Sequence, residues 1–331
     1  MLHDMHGREM RYLRLSVTDR CNLHCVYCNS AETYRCLSHD HVLRYEEMLR
    51  VVRVMTGLGV KRVRLTGGEP FVRKGCDRFL ATLHREFPDL DLCITSNGTL
   101  LEPYLPLVKE AGVSTVNLSL DSFDRETFHK ITGRDQLPAV ITTLEGLLRA
   151  GITVKLNAVA MRGFNDSQMD DFVNFAKNEP VDMRFIEFMP MGRDTVWDKQ
   201  VFWPASEIRA AIQQKVRLKQ ADNGPVAPGP AKMYAIEGGR GRIGIIAPMT
   251  GHFCKSCNRL RLTSDGNLRT CLFDDREYAL RKMLRHPQVG DDSLARLIAH
   301  ATLKKPVGTT LLERQRSGAA VANKAMVGIG G

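Results

Sequence analysis

No apolar run in this chain approaches the length of a membrane span, which argues against an integral membrane protein. The opening residues, Met1-Leu2-His3-Asp4-Met5-His6-Gly7-Arg8, lack the apolar core of a secretory signal, so a cytoplasmic location is expected. There is no internal repeat and no long low-complexity segment, which excludes repeat architectures. The nine cysteines are an odd number, and a reducing compartment argues against a disulfide framework. The net charge is +10, yet no dense basic block with interleaved aromatics accompanies it. The balance favours an anionic partner, and nothing in it favours nucleic acid over a single nucleotide.

What is present is an ordinary globular composition, 43% hydrophobic and 25% charged over 331 residues. The first two-thirds alternate strand and helix patterns. Strands are expected at 11–17, 61–66, 90–95, 115–120, 153–160 and 182–188. Helices are expected at 45–58, 76–87, 102–111, 136–150 and 166–178, several of them ended by Gly or Pro. Six strands joined by helical crossovers predict an α/β fold, a partial (β/α)6 barrel of the TIM type.

Strand parity assigns the faces. Leu13, Leu15, Val63, Leu65, Leu92, Ile94, Val116, Leu118, Val154 and Leu156 form an apolar face for the helices. The opposite face carries Arg14, Arg64, Thr95, Ser119, Asp121, Lys155, Asn157 and Glu187. A dry packed interior does not suit so many polar groups, so a ligand-filled one is expected. Residues 217–232 break the pattern, and within them 223–230, rich in Pro and Gly, reads as a loop or linker. Beyond it come strand patterns at 242–246 and 259–263 and helical ones at 277–285 and 293–304. The division expected is a barrel over 1–222 and a smaller C-terminal region over 223–331 closing its open side.

Six cysteines fall into two groups. Cys21-x3-Cys25-x2-Cys28 follows the first strand, and Cys254-x2-Cys257-x13-Cys271 lies near the third quarter's end. Three thiolates are one short of closing a tetrahedral zinc site or a four-iron cluster, and soft sulfur favours iron–sulfur. Structural zinc is the alternative, with Cys36, His39 or His41 completing the first group and His252 the second. Cys36, Cys76 and Cys93 read as small apolar fillers. Thr66-Gly67-Gly68-Glu69-Pro70 ends a strand, where glycine permits close backbone approach. Arg259 and Arg261 put two guanidinium groups, suited to phosphate oxygens, on one strand face. By composition alone, 327–331 reads as a frayed tail.

The first cysteine run, with Tyr27 before its last member, resembles the radical S-adenosylmethionine (SAM) enzymes. The runs 7–21, 65–70, 117–122, 184–190 and 253–263, with Cys271 and the terminal Gly330-Gly331, are similar to one branch of them, the GTP 3′,8-cyclases of molybdenum cofactor biosynthesis. The resemblance implies two [4Fe–4S] clusters and SAM as cofactors. It implies that a 5′-deoxyadenosyl radical removes the ribose 3′ hydrogen of GTP and that the product is 3′,8-cyclo-7,8-dihydro-GTP. By position, Cys21, Cys25 and Cys28 would hold the SAM cluster, and Tyr27, Gly68, Ser119 and Met189 would contact SAM, with Asn157 a further candidate. Cys254, Cys257 and Cys271 would hold the second cluster. Arg14, Arg64, Thr95, Lys155, Arg259 and Arg261 would hold GTP, and Gly330 and Gly331 would reach into the active site.

The partners implied are GTP, a downstream cyclic pyranopterin monophosphate synthase and a flavodoxin- or ferredoxin-type electron donor, with no membrane and no nucleic acid; a homodimer stays open. Asn29-Ser30 departs from the family's Met-Pro, and the loop 31–42 is atypical. Two other readings compete: a peptide-modifying radical SAM enzyme with an auxiliary cluster, and a zinc-stabilised basic module that binds nucleic acid.

Overall fold

The computed structural model describes residues 1–28, 36–191, 196–221, 229–251, 253–308, 311–312, 324 and 326–330. Asn29-Ser30, residues 31–35 of the atypical loop, most of the expected linker at 223–230, His252 and Gly331 lie outside these residues.

Six parallel strands form the centre: β1 (Tyr12–Ser16), β2 (Arg62–Thr66), β3 (Asp91–Ser96), β4 (Thr115–Ser119), β5 (Thr153–Ala160) and β6 (Asp182–Glu187). Each is followed by helix packed on the apolar face: α1 (Tyr45–Gly57), α2 (Cys76–Glu86), α3 (Leu105–Glu110), α4 (Arg125–Thr132), α5 (Leu137–Arg149), α6 (Met169–Asn178) and α7 (Ala205–Gln213). In α2, Cys76, Phe79, Leu80 and Leu83 are buried, the spacing of a single helical face. Opposite them, Leu13, Leu15, Val63, Leu92 and Val116 are buried in the strands. Burying each such side chain contributes about 1.5–3 kcal/mol.

The C-terminal third does not stand apart. Its strands β7 (Leu218–Gln220), β8 (Ala231–Ile236), β9 (Arg242–Ile246), β10 (Arg259–Leu262), β11 (Asn267–Arg269) and β12 (Tyr278–Ala279) extend the same sheet at both ends. The order is β12-β11-β10-β1-β2-β3-β4-β5-β6-β9-β8-β7. β10 adds to β1 and β9 to β6 in parallel, and the outer strands pair antiparallel. The chain closes with α8 (Leu280–Leu284), α9 (Asp291–Leu303) and α10 (Met326–Ile329). No helix among the described residues is long and apolar enough to cross a membrane.

Several expectations need correction. The break in pattern at 217–232 is not all loop: on either side of the linker stretch it contains β7, paired with β8, and the first residues of β8, paired with β9. The expected helix at 277–285 begins as β12 and turns helical only at Leu280. Helix α4 has no counterpart in the sequence reading. Its signals were Asp124, whose carboxylate accepts the Thr127 N–H at 2.8 Å, and Gly133, which ends it at φ 69°. Cys36 is exposed and fills no core, whereas Cys76 and Cys93 are buried as expected.

Candidate active site

Strand register sets the site's charge. Arg261, Arg14 and Arg64 stand side by side on β10, β1 and β2. On β4, β5, β6 and β9, Asn117, Lys155, Asp182 and Arg242 form a second row, and Ser119, Asn157 and Arg184 form a third. All these side chains line one cavity of about 550 Å³ inside the barrel, as do Arg62 and Arg259. Like charges on neighbouring strands repel, so the sheet gains nothing from this arrangement.

Burial and like-charged neighbours push several of these groups towards their neutral forms. Burial, with Arg261 next, pushes Arg14 well below the usual arginine range. Burial and Arg259 bring Arg261 down to about 10, and burial, Arg184 and Arg64 bring Lys155 down to about 8. A polyanion in the cavity would offset the mutual repulsion and give the buried cations a partner charge. Thr95 Oγ1, Asn117 Oδ1, Asn157 Oδ1 and Arg184 Nε are buried in the wall without a partner among the described residues. Such orphaned groups fit a polar ligand.

The first three cysteines sit at one end of this cavity, where Cys21, Cys25, Cys28, Tyr27, Gly68, Ser119 and Met189 all line it. Two elements hold the cysteine loop. The C-terminal end of α4 accepts the His24 and Val26 N–H groups through the Thr132 and Ile131 carbonyls, at 2.8 and 2.9 Å. The turn after β2 donates from Gly68 to the Thr18 carbonyl and from Glu69 to that of Arg20, at 2.9 and 2.8 Å. A Cβ on Gly68 would fall 2.3 Å from the Arg20 carbonyl oxygen and 2.9 Å from Cys21 Cβ. Glycine is required there by contact with the loop itself. Glu69 is fully buried, accepting from Asn97, Phe71 and Ser96, and burial raises it to about 7.

The Cys28 thiol is pushed up to about 12 by burial, with Cys21 adding to it. Cys25 is raised well above the ordinary thiol by burial, Asp121 and its two neighbours. Neighbouring thiols that resist ionisation alone are the donor set a cationic metal cluster would ionise.

The second group, Cys254, Cys257 and Cys271, lies behind the cavity wall, not on it. Their neighbours Phe253, Asn258, Arg259 and Leu272 line the cavity. A Cβ on Gly308 would stand 3.2 Å from Cys254 Sγ and 3.3 Å from Cys271 Sγ, so these two thiols converge on a cradle that only glycine leaves open. Burial pushes the Cys257 thiol up, but Lys305 and Arg259 outweigh it and bring it to about 7. Among the described residues no three His, Cys, Asp or Glu groups close tightly enough for a single metal ion.

The tail is not frayed at Gly330. Its carbonyl accepts from Arg261 at 3.0 Å and from Arg14 and Thr66 at 3.4 Å. Gly330 adopts φ 71°, and a Cβ there would fall 2.8 Å from Thr66 Oγ1.

On β6, Glu187 lines the cavity as expected, but its carboxylate is committed to the N–H groups of Ala205, Met249 and Thr250. Arg184, two residues from Asp182 and Ile186, adds a charge on β6 that the sequence reading lacked. Its alternation with buried Met183 and Phe185 was the signal. Arg62 and Arg242 were likewise missed.

Comparison with known proteins agrees with this geometry. Residues 15–176 match the Radical SAM superfamily and residues 181–311 match Molybdenum Cofactor Synthesis C. The GTP 3′,8-cyclase of Syntrophomonas wolfei is 41% identical over 92% of this chain and 93% of its own. That of Alkaliphilus oremlandii is 38% identical over the full length of both. The crystal structure of Streptococcus suis SuiB bound to S-adenosylmethionine superposes with a TM-score of 0.66, covering 97% of this chain and 77% of that one at 15% identity. That last likeness is one of fold alone. Members of the radical SAM superfamily use a four-iron cluster and SAM. The chain belongs to the GTP 3′,8-cyclase family of radical SAM enzymes.

Proposed function

We propose that this chain converts GTP to 3′,8-cyclo-7,8-dihydro-GTP, with Cys21, Cys25 and Cys28 holding one [4Fe–4S] cluster and Cys254, Cys257 and Cys271 a second. When bound, the first cluster and SAM supply a 5′-deoxyadenosyl radical able to take the ribose 3′ hydrogen. The observation that carries the reading is one cavity lined both by the three thiols and by Arg14, Arg64, Lys155, Arg259 and Arg261. None of these cations is in an ion pair among the described residues, while Asp182 pairs with Arg184 and Arg242.

In this reading the chain's own residues divide the work. Tyr27, Gly68, Ser119 and Met189 hold SAM against the first cysteine loop, and Asn157 offers an unpartnered amide oxygen beside them. Arg14, Arg64, Lys155, Arg259 and Arg261, with Thr95, hold GTP, their charge directed at the triphosphate. Arg62, Arg184 and Arg242 join that wall. A triphosphate supplies the negative charge that Arg14, Arg261 and Lys155 lack. Gly330 keeps the tail against Arg14 and Arg261, and the terminal Gly330-Gly331 pair is read as part of the active site. The reading also includes action in the cytoplasm, a flavodoxin- or ferredoxin-type donor, and a synthase that consumes the product.

The test is anaerobic. The protein is reconstituted with iron and sulfide, reduced with dithionite, and given SAM with and without GTP. Formation of 5′-deoxyadenosine that depends on GTP and consumes it supports the cyclase. Formation indifferent to GTP sinks the substrate assignment.

A further inference from the structure

Lys305 is 2% exposed and lies behind the second cysteine group. Its Nζ donates to the Arg259 carbonyl at 2.8 Å and to the Thr270 carbonyl. Arg259 follows Cys257 by two residues, and Thr270 immediately precedes Cys271. One ammonium therefore ties the strand that leaves Cys257 to the strand end that delivers Cys271. The third cysteine is secured through the same residue's backbone. Arg8 donates to the Cys254 carbonyl at 2.7 Å and to the carbonyls of Lys305 and Pro306 at 3.2 and 3.0 Å.

The charges of the two cations differ in how they are met. Arg8 is paired with buried Asp4 at 2.5 Å. Among the described residues no carboxylate lies within ion-pair range of Lys305. A buried ammonium met only by carbonyl dipoles is costly. The thiols of Cys257 and Cys271 are the nearby groups able to carry compensating negative charge, and they do so fully as ligands of iron. The cation therefore fits an anionic group bound at these cysteines.

We propose that Lys305 is the positioning residue of the second cysteine site: it fixes the spacing of the Cys257 and Cys271 segments and neutralises the charge of their thiolates when a cluster is bound. The inference rests on the reading that these cysteines hold iron. It makes Lys305 a determinant of both cluster retention and cluster potential. Removing a positive charge beside a cluster disfavours its reduced form, so the potential falls.

The full chain is reconstituted anaerobically as wild type, Lys305→Met, Lys305→Arg and Cys257→Ala. Iron is counted, and the clusters are titrated by electron paramagnetic resonance. Wild type is expected to hold about eight irons and Cys257→Ala about four. Lys305→Met should fall towards four, and the residual second signal should titrate at a more negative potential. Lys305→Arg should return the potential towards wild type. About eight irons and an unmoved potential in Lys305→Met overturn the proposal while leaving the cluster assignment intact. Loss of iron from both sites, with loss of the far-ultraviolet dichroism, also overturns it, because Lys305 is then general support for the fold. About four irons in wild type and Cys257→Ala alike defeat the underlying reading instead.

Discussion

The Tyr27 hydroxyl donates to Asp121 Oδ2 at 2.5 Å, and the other oxygen of that carboxylate accepts the Val159 N–H at 2.8 Å. One carboxylate at the end of β4 thus fixes the aromatic ring of the first cysteine loop to β5. Burial raises Asp121 to about 6, and the Tyr27 and Val159 bonds act in the opposite direction. Asp121→Ala leaves the phenol without its acceptor. SAM affinity is expected to fall about tenfold, or 1.4 kcal/mol, while iron content stays unchanged. Anaerobic calorimetry with SAM checks this, and an unchanged dissociation constant would show that packing alone holds Tyr27.

Lys155 gives a pH dependence of definite sign. Its ammonium is brought down to about 8 by burial first, then Arg184 and Arg64. The protonated form attracts triphosphate and the neutral amine does not. GTP binding therefore draws a proton onto Lys155, and affinity weakens as pH rises through 8. The dissociation constant should rise by up to about tenfold per pH unit above that point. Lys155→Arg should flatten the profile, because guanidinium keeps its proton. Equilibrium binding of GTP between pH 7 and 9.5 measures both.

Gly68→Ala tests how the first cysteine loop is held. The added methyl meets the Arg20 carbonyl at 2.3 Å, and that backbone cannot step aside without moving Cys21. Destabilisation of about 1–3 kcal/mol is expected, with loss of iron at the first site before the second. Thermal unfolding and iron counts on the reconstituted protein decide it. A variant with full iron and an unchanged unfolding midpoint would show the loop can shift.

Arg259→Ala and Arg261→Ala should each leave iron content and SAM binding intact yet abolish GTP-dependent product. Arg261 also holds Gly330, so its loss should free the tail to proteolysis where loss of Arg259 does not. Product analysis after limited proteolysis separates the two. Normal turnover in either variant removes that arginine from the mechanism.

The cavity wall was legible because side chains on a strand alternate with a period of two. Knowing that Leu13 and Leu15 meet helices forces Arg14 inward, and the same holds for Arg64, Thr95, Ser119 and Lys155. At β6 parity holds over 182–186, with Asp182 and Arg184 facing the cavity, and is lost from Glu187 on, where the chain leaves the sheet and consecutive residues line the cavity. Helix α4 was missed because eight residues with a weak apolar face give little periodicity, although both caps were written in the sequence. That Arg261, Arg14 and Arg64 share one positive lining was legible, but not that they stand side by side in one row. The row depends on β10 lying beside β1, a pairing between residues far apart in the chain that local pattern does not encode.

That pairing sets an order of events during synthesis. β1 leaves the ribosome among the first elements, but the strand that covers its outer edge, β10, follows about 250 residues later, Tyr12 pairing with Arg259. The outer edge of β6 likewise waits for β9. Until then the nascent barrel presents two unpaired parallel edges, each a template for pairing with other chains. Truncation before Arg242 leaves both edges permanently bare, and such a fragment is expected to aggregate where the full chain stays dispersed. The residues that complete the substrate pocket are therefore also the ones that end the chain's exposure to misassembly.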